Sequence, residues 1–402
     1  MESAGTPSSR IVSLDQFRGY TVAGMFLVNF VGGFPACPRI LKHTNDYCSY
    51  ADTIMPQFLF AVGFAFRLTF ERRVAREGAA AAYSRVIHRL IGLAALAFGV
   101  YVLLPAALTW PRVLDTTPAA FIVTTLKRTW FQTLLHIAVT SLWILPVIRC
   151  SATTRIAFAA ASAALHVVLS AWFNFEWVNT SPNGIDGGPL GFLTWTIPAI
   201  AGTLACDMVT SLRSSSPVPK MVVAATGLML AGWLVSCGTR LYDVRNPVAV
   251  AKTPGVEMNK LSPHPVIPPR EAFEGRTWTS LLAEPPFEPP PAATHRQWNY
   301  WMMSQRGGTL SYLTFSAGFS MAVFALFYVA CDQLRWKLPM FQTLGMNALA
   351  GYVLHDPIGD FVKSWAPKDG SALTMWAAFA TYFALTWLVL KIMERRGIFF
   401  RM

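Results

Sequence analysis

Residues 307–331 read GGTLSYLTFSAGFSMAVFALFYVAC, twenty-five positions between Arg306 and Asp332 without a single charge. An α-helix rises 1.5 Å per residue, so about 20 apolar residues cross the ~30 Å hydrocarbon core of a bilayer. This stretch is long enough to span a membrane and too apolar for a solvent-facing helix. The same reading applies between Arg18 and Arg39, Arg89 and Arg112, Arg128 and Arg149, Arg155 and Glu176, Asp186 and Asp207, Lys220 and Arg240, Lys337 and Asp356, and Asp369 and Lys391. A tenth segment runs from Asp52 to about Phe70; its one internal charge, Arg67, lies near an end and can snorkel to the interface. The expected fold is therefore an all-α polytopic membrane protein of about ten transmembrane helices. Strict apolar/polar alternation is absent, which argues against a barrel.

Composition agrees. The chain has 402 residues, 53% hydrophobic and only 13% charged, where a soluble protein carries about 25% charged residues. This balance argues against a soluble enzyme and rules out intrinsic disorder for the bulk of the chain. The net charge is +12, but no nucleic-acid-binding motif accompanies it. In a membrane protein, Lys and Arg collect on the cytoplasmic side. The segment from Arg72 to Arg89 holds Arg72, Arg73, Arg76, Arg85 and Arg89 and reads as cytoplasmic. Alternation then places both termini inside, with further inner charges at Arg10, Arg18, Arg149, Arg155, Arg213, Lys220, Arg335, Lys337, Lys391, Arg395, Arg396 and Arg401. No signal peptide is evident, because the first apolar run lacks a small-residue cleavage site.

One break in composition stands out. Residues 242–307, between the seventh and eighth expected helices, hold 11 of the 27 prolines. The segment reads as an extracytoplasmic loop inserted in a single 1–402 domain: either an extended linker, or a lid packed through Trp278, Phe287, Trp298, Tyr300 and Trp301. Cys37 and Cys48 share the first outer loop, where a disulfide is open to them. The six cysteines show no metal spacing, and no metal is expected.

Polar residues at membrane depth are costly and usually mark function. Asn29 lies near the midplane of the first helix, His43 in the first outer loop, and Asp52 at the start of the second helix. Gln132 and His136 sit four apart near the outer end of the fourth. Arg306 enters the eighth from outside. Asn347 is mid-way along the ninth, and His355-Asp356 form its outer end. All occupy the outer half or the midplane, which suggests one polar cavity opening outward. Each also has a structural reading: Asn29 and Asn347 as interhelical hydrogen bonds, His136 as a core histidine, Asp52 as a helix cap, and Arg306 as an interfacial anchor. His166 has no polar neighbour in sequence and reads as structural. Walker A, G-x-G-x-x-G, G-x-S-x-G and H-E-x-x-H motifs are absent. A small-solute or lipid-linked-sugar transporter stays open, although no motif repeats between the halves.

Several strings, taken in order, resemble the heparan-α-glucosaminide N-acetyltransferase family and its bacterial relatives. Arg10-Ile-Val-Ser-Leu-Asp15-Gln-Phe-Arg18-Gly19 matches its R-x-x-S-x-D-x-F-R-G opening. Val28-Asn29-Phe30, Lys42-His43, Ala51-Asp52 through Phe60, Gln132, Gly184-Ile-Asp186-Gly187 and Leu344-Gly345-Met346-Asn347-Ala348 follow. The acyltransferase-3 family also opens with L-D-x-x-R-G, but its histidine lies at the outer end of the first helix, where this chain has Asn29-Phe30. The arginine that follows the family's glutamine is replaced here by Thr133, and its D-P-E-G acid by Asp186-Gly187.

The resemblance implies a membrane-bound acetyltransferase in a bacterial inner membrane with its site facing the periplasm. It would move an acetyl group from cytoplasmic acetyl-CoA to an amino sugar of glucosamine type; an O-acyltransferase of envelope polysaccharide is the alternative. Under this reading His43 is the general base or acyl-accepting nucleophile. Asn29 donates to the thioester oxygen as its charge develops, and Asp52 orients the imidazole or holds the amine. Asp15, Arg18, Gln132, His136, Arg306, Asn347, His355 and Asp356 are the expected binding residues. Arg18, Arg67 and the Arg72–Arg89 segment supply positive charge for the phosphates of CoA. A homodimer stays open.

Overall fold

The computed structural model describes residues 11–103, 117–211, 216–244, 261–291 and 295–400. Arg10, Arg112, Arg213 and Arg401, which enter the expected orientation, lie outside them, as does part of the Pro-rich loop. Thirteen α-helices organise the described residues: α1 (Val12–Val31), α2 (Ile54–Glu77), α3 (Ala79–Phe98), α4 (Pro118–Thr124), α5 (Thr133–Ile144), α6 (Ala152–Leu169), α7 (Phe175–Asn179), α8 (Phe192–Ser211), α9 (Val218–Ser236), α10 (Leu310–Tyr328), α11 (Pro339–Met346), α12 (Ala348–Lys363) and α13 (Ala372–Arg395). Among these residues there is no β-strand; two isolated bridges, Asp243 with Arg296 and Leu261 with Trp298, pair extended chain.

Seven helical stretches are long and apolar enough to cross a membrane: Ala51–Glu77, Ala79–Leu103, Ala152–Asn179, Gly188–Thr210, Val218–Tyr242, Leu310–Gln333 and Ala372–Arg395. The pair Pro118–Thr129 and Thr133–Val147, bent by 77°, makes an eighth if it is one broken span. Among the described residues, length and composition thus mark seven or eight of the ten segments expected from the sequence. The two remaining sequence segments are helical but fail on composition. Asp15, Gln16, Arg18 and Asn29 interrupt α1. The other segment breaks at Asn347 into α11 and α12 and carries His355, Asp356, Asp360 and Lys363. Most of the polar residues that lower these two segments are ones the sequence assigned to a site.

The apolar surface is divided between core and exterior. Stretches Ala51–Glu77, Gly188–Thr210 and Leu310–Gln333 bury most of their apolar windows inside the protein, whereas Ala79–Leu103, Ala152–Asn179, Val218–Tyr242 and Ala372–Arg395 bury a quarter or so. The outer four present Ile91, Val168, Val223 and Leu373 outward, as lipid contact requires. Small residues let central helices approach closely, the usual device where lipid competes equally for apolar side chains. A Cβ at Gly63 of α2 would meet the Ala199 carbonyl of α8, and one at Gly202 of α8 would meet the Phe60 carbonyl of α2. Gly19 of α1 and Gly345 of α11 mesh in the same way, against Phe341 and Asp15.

The Pro-rich segment is folded against the helices. Phe287 N–H donates to the Cys48 carbonyl at 2.9 Å, and the Phe287 ring packs on Phe315 and Phe319 of α10. Tyr300 is fully buried, and Trp301 Nε1 donates to the Val266 carbonyl at 2.9 Å. Arg296, only 4% exposed, bridges Asp243 at 2.6 Å and Glu284 at 3.1 Å; Arg240 joins the same two carboxylates at 3.1 Å each. These contacts pack the described part of the segment against the helices; Trp278 alone of the five expected aromatic anchors stands out from the surface, 88% exposed.

Candidate functional site: two cavities with a shared wall

α1, α2, α5 and α12 enclose two cavities that lie end to end. The first, about 590 Å³, is lined by Asn29, Lys42, His43, Gln132, Asp186, Gln305, His355 and Asp356 together with apolar residues of α1 and α2. The second, about 470 Å³, lies toward the start of α1 and is lined by Asp15, Arg18, Arg89, Phe399 and Phe400 among others. Phe58, Thr133 and Tyr352 line both. These three side chains stand between a polar chamber and a basic one as a wall common to both. The Tyr352 hydroxyl is hydrogen-bonded to that of Tyr101, whose oxygen also accepts from Leu134 N–H at 3.3 Å.

His43 is the best-oriented titratable group in the polar chamber. Its Nδ1–H donates to Asp52 Oδ1 at 2.9 Å. Asp52 is 1% exposed while the imidazole is 47% exposed, so the pair has a buried anchor and an accessible ring. The turn Ala51–Thr53 leads into α2 and sets Asp52 at the helix entrance, where the dipole favours an anion. Its other oxygen accepts from Ser49 N–H and from the Ser49 hydroxyl, both at 2.9 Å. Its backbone carbonyl accepts from Tyr312 of α10 at 2.6 Å. Burial works to lower the His43 pKa, but the hydrogen bond to Asp52 and the charges of Asp52 and Asp186 outweigh it; the net shift is upward. A histidine held this way has a fixed tautomer, and Gln305 adds to the upward shift as a further side-chain partner of the same ring.

Asp186 lines the same chamber as His43. It is 2% exposed, and its φ of 55° places it in the left-handed region; Gly187 and Gly188 follow at 83° and 59°. Asp is one of the few non-glycine residues that tolerate this conformation. A Cβ at Gly187 would strike Gly191 and press on Gly308, so only glycine allows the two loops to meet. Trp195 Nε1 and Gln305 Nε2 donate to the Asp186 carbonyl and to Oδ1, both at 2.8 Å. Burial pushes the Asp186 carboxyl up to about 6.

The structure gathers some expected residues and separates others. Asn29, His43, Gln132, His355 and Asp356 line the polar chamber, with Asp52 behind His43. Asn29 Nδ2 lies 3.2 Å from His355 Nε2, whose other nitrogen meets the Tyr352 carbonyl at 2.5 Å. Gln132 precedes α5 and donates to the Thr129 carbonyl at 3.0 Å. Asp15 and Arg18 line the basic chamber. His136, Arg306 and Asn347 line neither. His136 is buried between Phe131 and Trp195; Arg306 lies over the Trp298 ring at 5.1 Å; Asn347 is buried at the break between α11 and α12. Arg67, expected near CoA phosphates, is bound instead to Asp207 at 2.9 Å and Glu71 at 2.7 Å. Arg89 is the arginine of its segment that reaches the basic chamber. Cys37 and Cys48 are both buried free thiols and form no disulfide. His166 has polar partners after all, the Tyr300 hydroxyl at 2.8 Å and Asn174 at 3.4 Å.

Sequence reasoning missed Asp186, Gln305, Tyr101 and Tyr352 as site residues. The glycines around Asp186 and after Gln305 were the available signal, since they mark the meeting of two tight loops. Among the described residues, no three His, Cys, Asp or Glu side chains converge as a metal site.

A His–Asp pair with a buried carboxylate and an accessible imidazole thus faces a chamber that shares a wall with a second, basic one, among helices apolar enough to cross a membrane. Residues 10–187 match the family described as "Heparan-alpha-glucosaminide N-acetyltransferase, catalytic". This supports a membrane acetyltransferase family for the chain, over somewhat less than half its length, and the matched stretch holds Asn29, His43, Asp52 and Asp186. No curated protein matches the chain. Gln305, Tyr352, His355 and Asp356 come from the part beyond the match.

Proposed function

We propose that the protein transfers an acetyl group from acetyl-CoA to the amine of a glucosamine-type sugar, through the neck between its two chambers. The observation that carries this reading is the pairing of a basic chamber with a His–Asp chamber through shared walls at Phe58, Thr133 and Tyr352. Arg18 and Arg89 offer charge to the CoA phosphates on the cytoplasmic side, and the pantetheine arm extends the thioester through the neck. The amine waits in the polar chamber, which this reading turns toward the periplasm of a bacterial cell with both termini inside; α1 and the α11–α12 pair then cross the bilayer together with the eight apolar segments.

His43 Nε2 takes a proton from the attacking nitrogen, and Asp52 stabilises the imidazolium that forms. General-base assistance of this kind contributes about 10²- to 10⁴-fold. Asn29, held by His355 in the same chamber, donates to the thioester oxygen as it gains charge. The C–S bond then breaks, and the proton on His43 passes to the departing thiolate. The test is conversion of glucosamine by purified protein with acetyl-CoA. Wild type forms N-acetylglucosamine and His43→Ala does not, while both are thermally stabilised by acetyl-CoA. Equal rates for the two proteins would remove His43 from the mechanism.

A further inference from the structure

N-acetylation at neutral pH has a proton requirement that O-acetylation lacks. A sugar amine arrives largely as R–NH₃⁺ and leaves as R–NH–CO–CH₃, so nitrogen must shed two protons; a hydroxyl sheds one. The His43–Asp52 pair handles one proton per turnover. Resting on the acetyl-transfer reading above, we propose that Asp186 is the second proton acceptor and the anionic seat for the acceptor's ammonium group, which makes the polar chamber selective for primary ammonium acceptors over hydroxyls.

The placement supports this role. Asp186 lines the same chamber as His43 and lies close enough to act on it electrostatically. It belongs to a different loop from Asp52, so two carboxylates from separate loops act on the imidazole. The Gln305 amide already donates an N–H to Asp186 Oδ1 at 2.8 Å, which is the contact an ammonium N–H would make. Gln305 thus occupies the acceptor's place and is exchanged for it. The chain leading to Gln305 is held by the Arg296 bridges and by the buried Tyr300. The other ionisable groups facing this space are Lys42, His355, Asp356, Tyr101 and Tyr352. Lys42 is tethered to the Pro35 carbonyl at 3.4 Å and Asp356 to His355 at 3.2 Å, which leaves Asp186 as the carboxylate presented beside His43. A carboxyl poised near 6 is ionised at neutral pH yet basic enough to accept a proton transiently.

The protons balance as follows. R–NH₃⁺ gives one proton to the Asp186 carboxylate. The neutral nitrogen bonds to the thioester carbon, and the C–S bond breaks. The second proton moves from nitrogen to His43 Nε2 and then to the CoA thiolate. Asp186 returns its proton to solvent, so each turnover releases one H⁺ and one HS–CoA.

The experiment is the pH dependence of kcat/KM for glucosamine in wild type and Asp186→Asn. Asn also tolerates φ > 0, and retained thermal stabilisation by acetyl-CoA verifies that the variant is folded. Asp186→Asn should lose about 100-fold at pH 7. Its residual rate should climb until the amine is itself neutral, near pH 8 for an amine of this basicity, because the variant can use only the free base. Wild type should reach its plateau at lower pH. If both proteins transfer to glucosamine with the same kcat/KM and the same pH profile, Asp186 has no such role and the proposal falls alone. If wild type neither binds acetyl-CoA nor acetylates glucosamine, the acetyl-transfer reading falls and takes the proposal with it.

Discussion

Asp186→Asn should make the protein more stable while making it less active. The wild-type carboxyl is raised from an ordinary 3.8 to about 6 by burial. For an acid, a raised folded-state pKa means that the folded chain holds its proton more tightly than the unfolded chain. Stability is therefore highest when the group is protonated and falls as pH rises from about 4 to about 6. At about 1.36 kcal/mol per pH unit, the penalty levels off near 3 kcal/mol above pH 6, an order-of-magnitude figure. At pH 5 roughly half of it remains. Asn keeps an oxygen for the Gln305 N–H and tolerates the left-handed backbone, so the substitution removes the charge with little other change. Thermal unfolding in detergent at pH 5 and pH 7.5 is the assay. The variant should melt a few degrees above wild type at pH 7.5, with the gap about halved at pH 5. A variant that melts at or below wild type at pH 7.5 would refute the claim that an ionised carboxylate is buried there at a cost.

Further expectations concern the passage, the donor and the lid. Thr133→Trp places a large ring in the wall shared by the two chambers; acetyl transfer should fall at least about 100-fold while thermal stabilisation by acetyl-CoA persists, and unimpaired transfer would mean that the neck is not the route. Arg89→Gln removes one charge-assisted contact of about 1.5–3 kcal/mol, so KM for acetyl-CoA should rise roughly 10- to 150-fold with kcat little changed, and the difference should shrink in high salt; an unchanged KM would exclude Arg89 from donor binding. Arg296→Ala leaves Asp243 and Glu284 with Arg240 as their remaining cation, which should cost on the order of 3 kcal/mol and open residues 261–291 to proteolysis; a lid equally resistant in both proteins would show that the ion cluster does not hold it.

Much of this was legible in the sequence because lipid imposes a simple rule on composition. Uncharged runs marked the apolar helices, and residues that broke the pattern, such as Asn29, Arg18 and His355, line the chambers. The same residues explain the discrepancy in span number: α1 and the α11–α12 pair contain too many polar groups to pass as apolar segments. His43 and Asp52 lie nine positions apart around a turn, so proximity in sequence brought them together. Asp186 and Gln305 are separated by more than a hundred residues, and their pairing depends on two glycine loops meeting at Gly187 and Gly308. No local pattern announces such a contact. Arg306 attracted attention by its charge, but its neighbour Gln305 enters the chamber. Tyr101 and Tyr352 were hidden for the opposite reason, since a tyrosine in an apolar run looks like core until its hydroxyl is found at a constriction.

The central claim is that the acetyl group passes from one chamber to the other, and hence across the membrane. Sealed inside-out vesicles provide the direct measurement, with radiolabelled acetyl-CoA added outside and glucosamine enclosed in the lumen. The account predicts labelled N-acetylglucosamine inside intact vesicles, abolished by His43→Ala and by Thr133→Trp. Label appearing only when glucosamine is supplied on the same side as acetyl-CoA would contradict it.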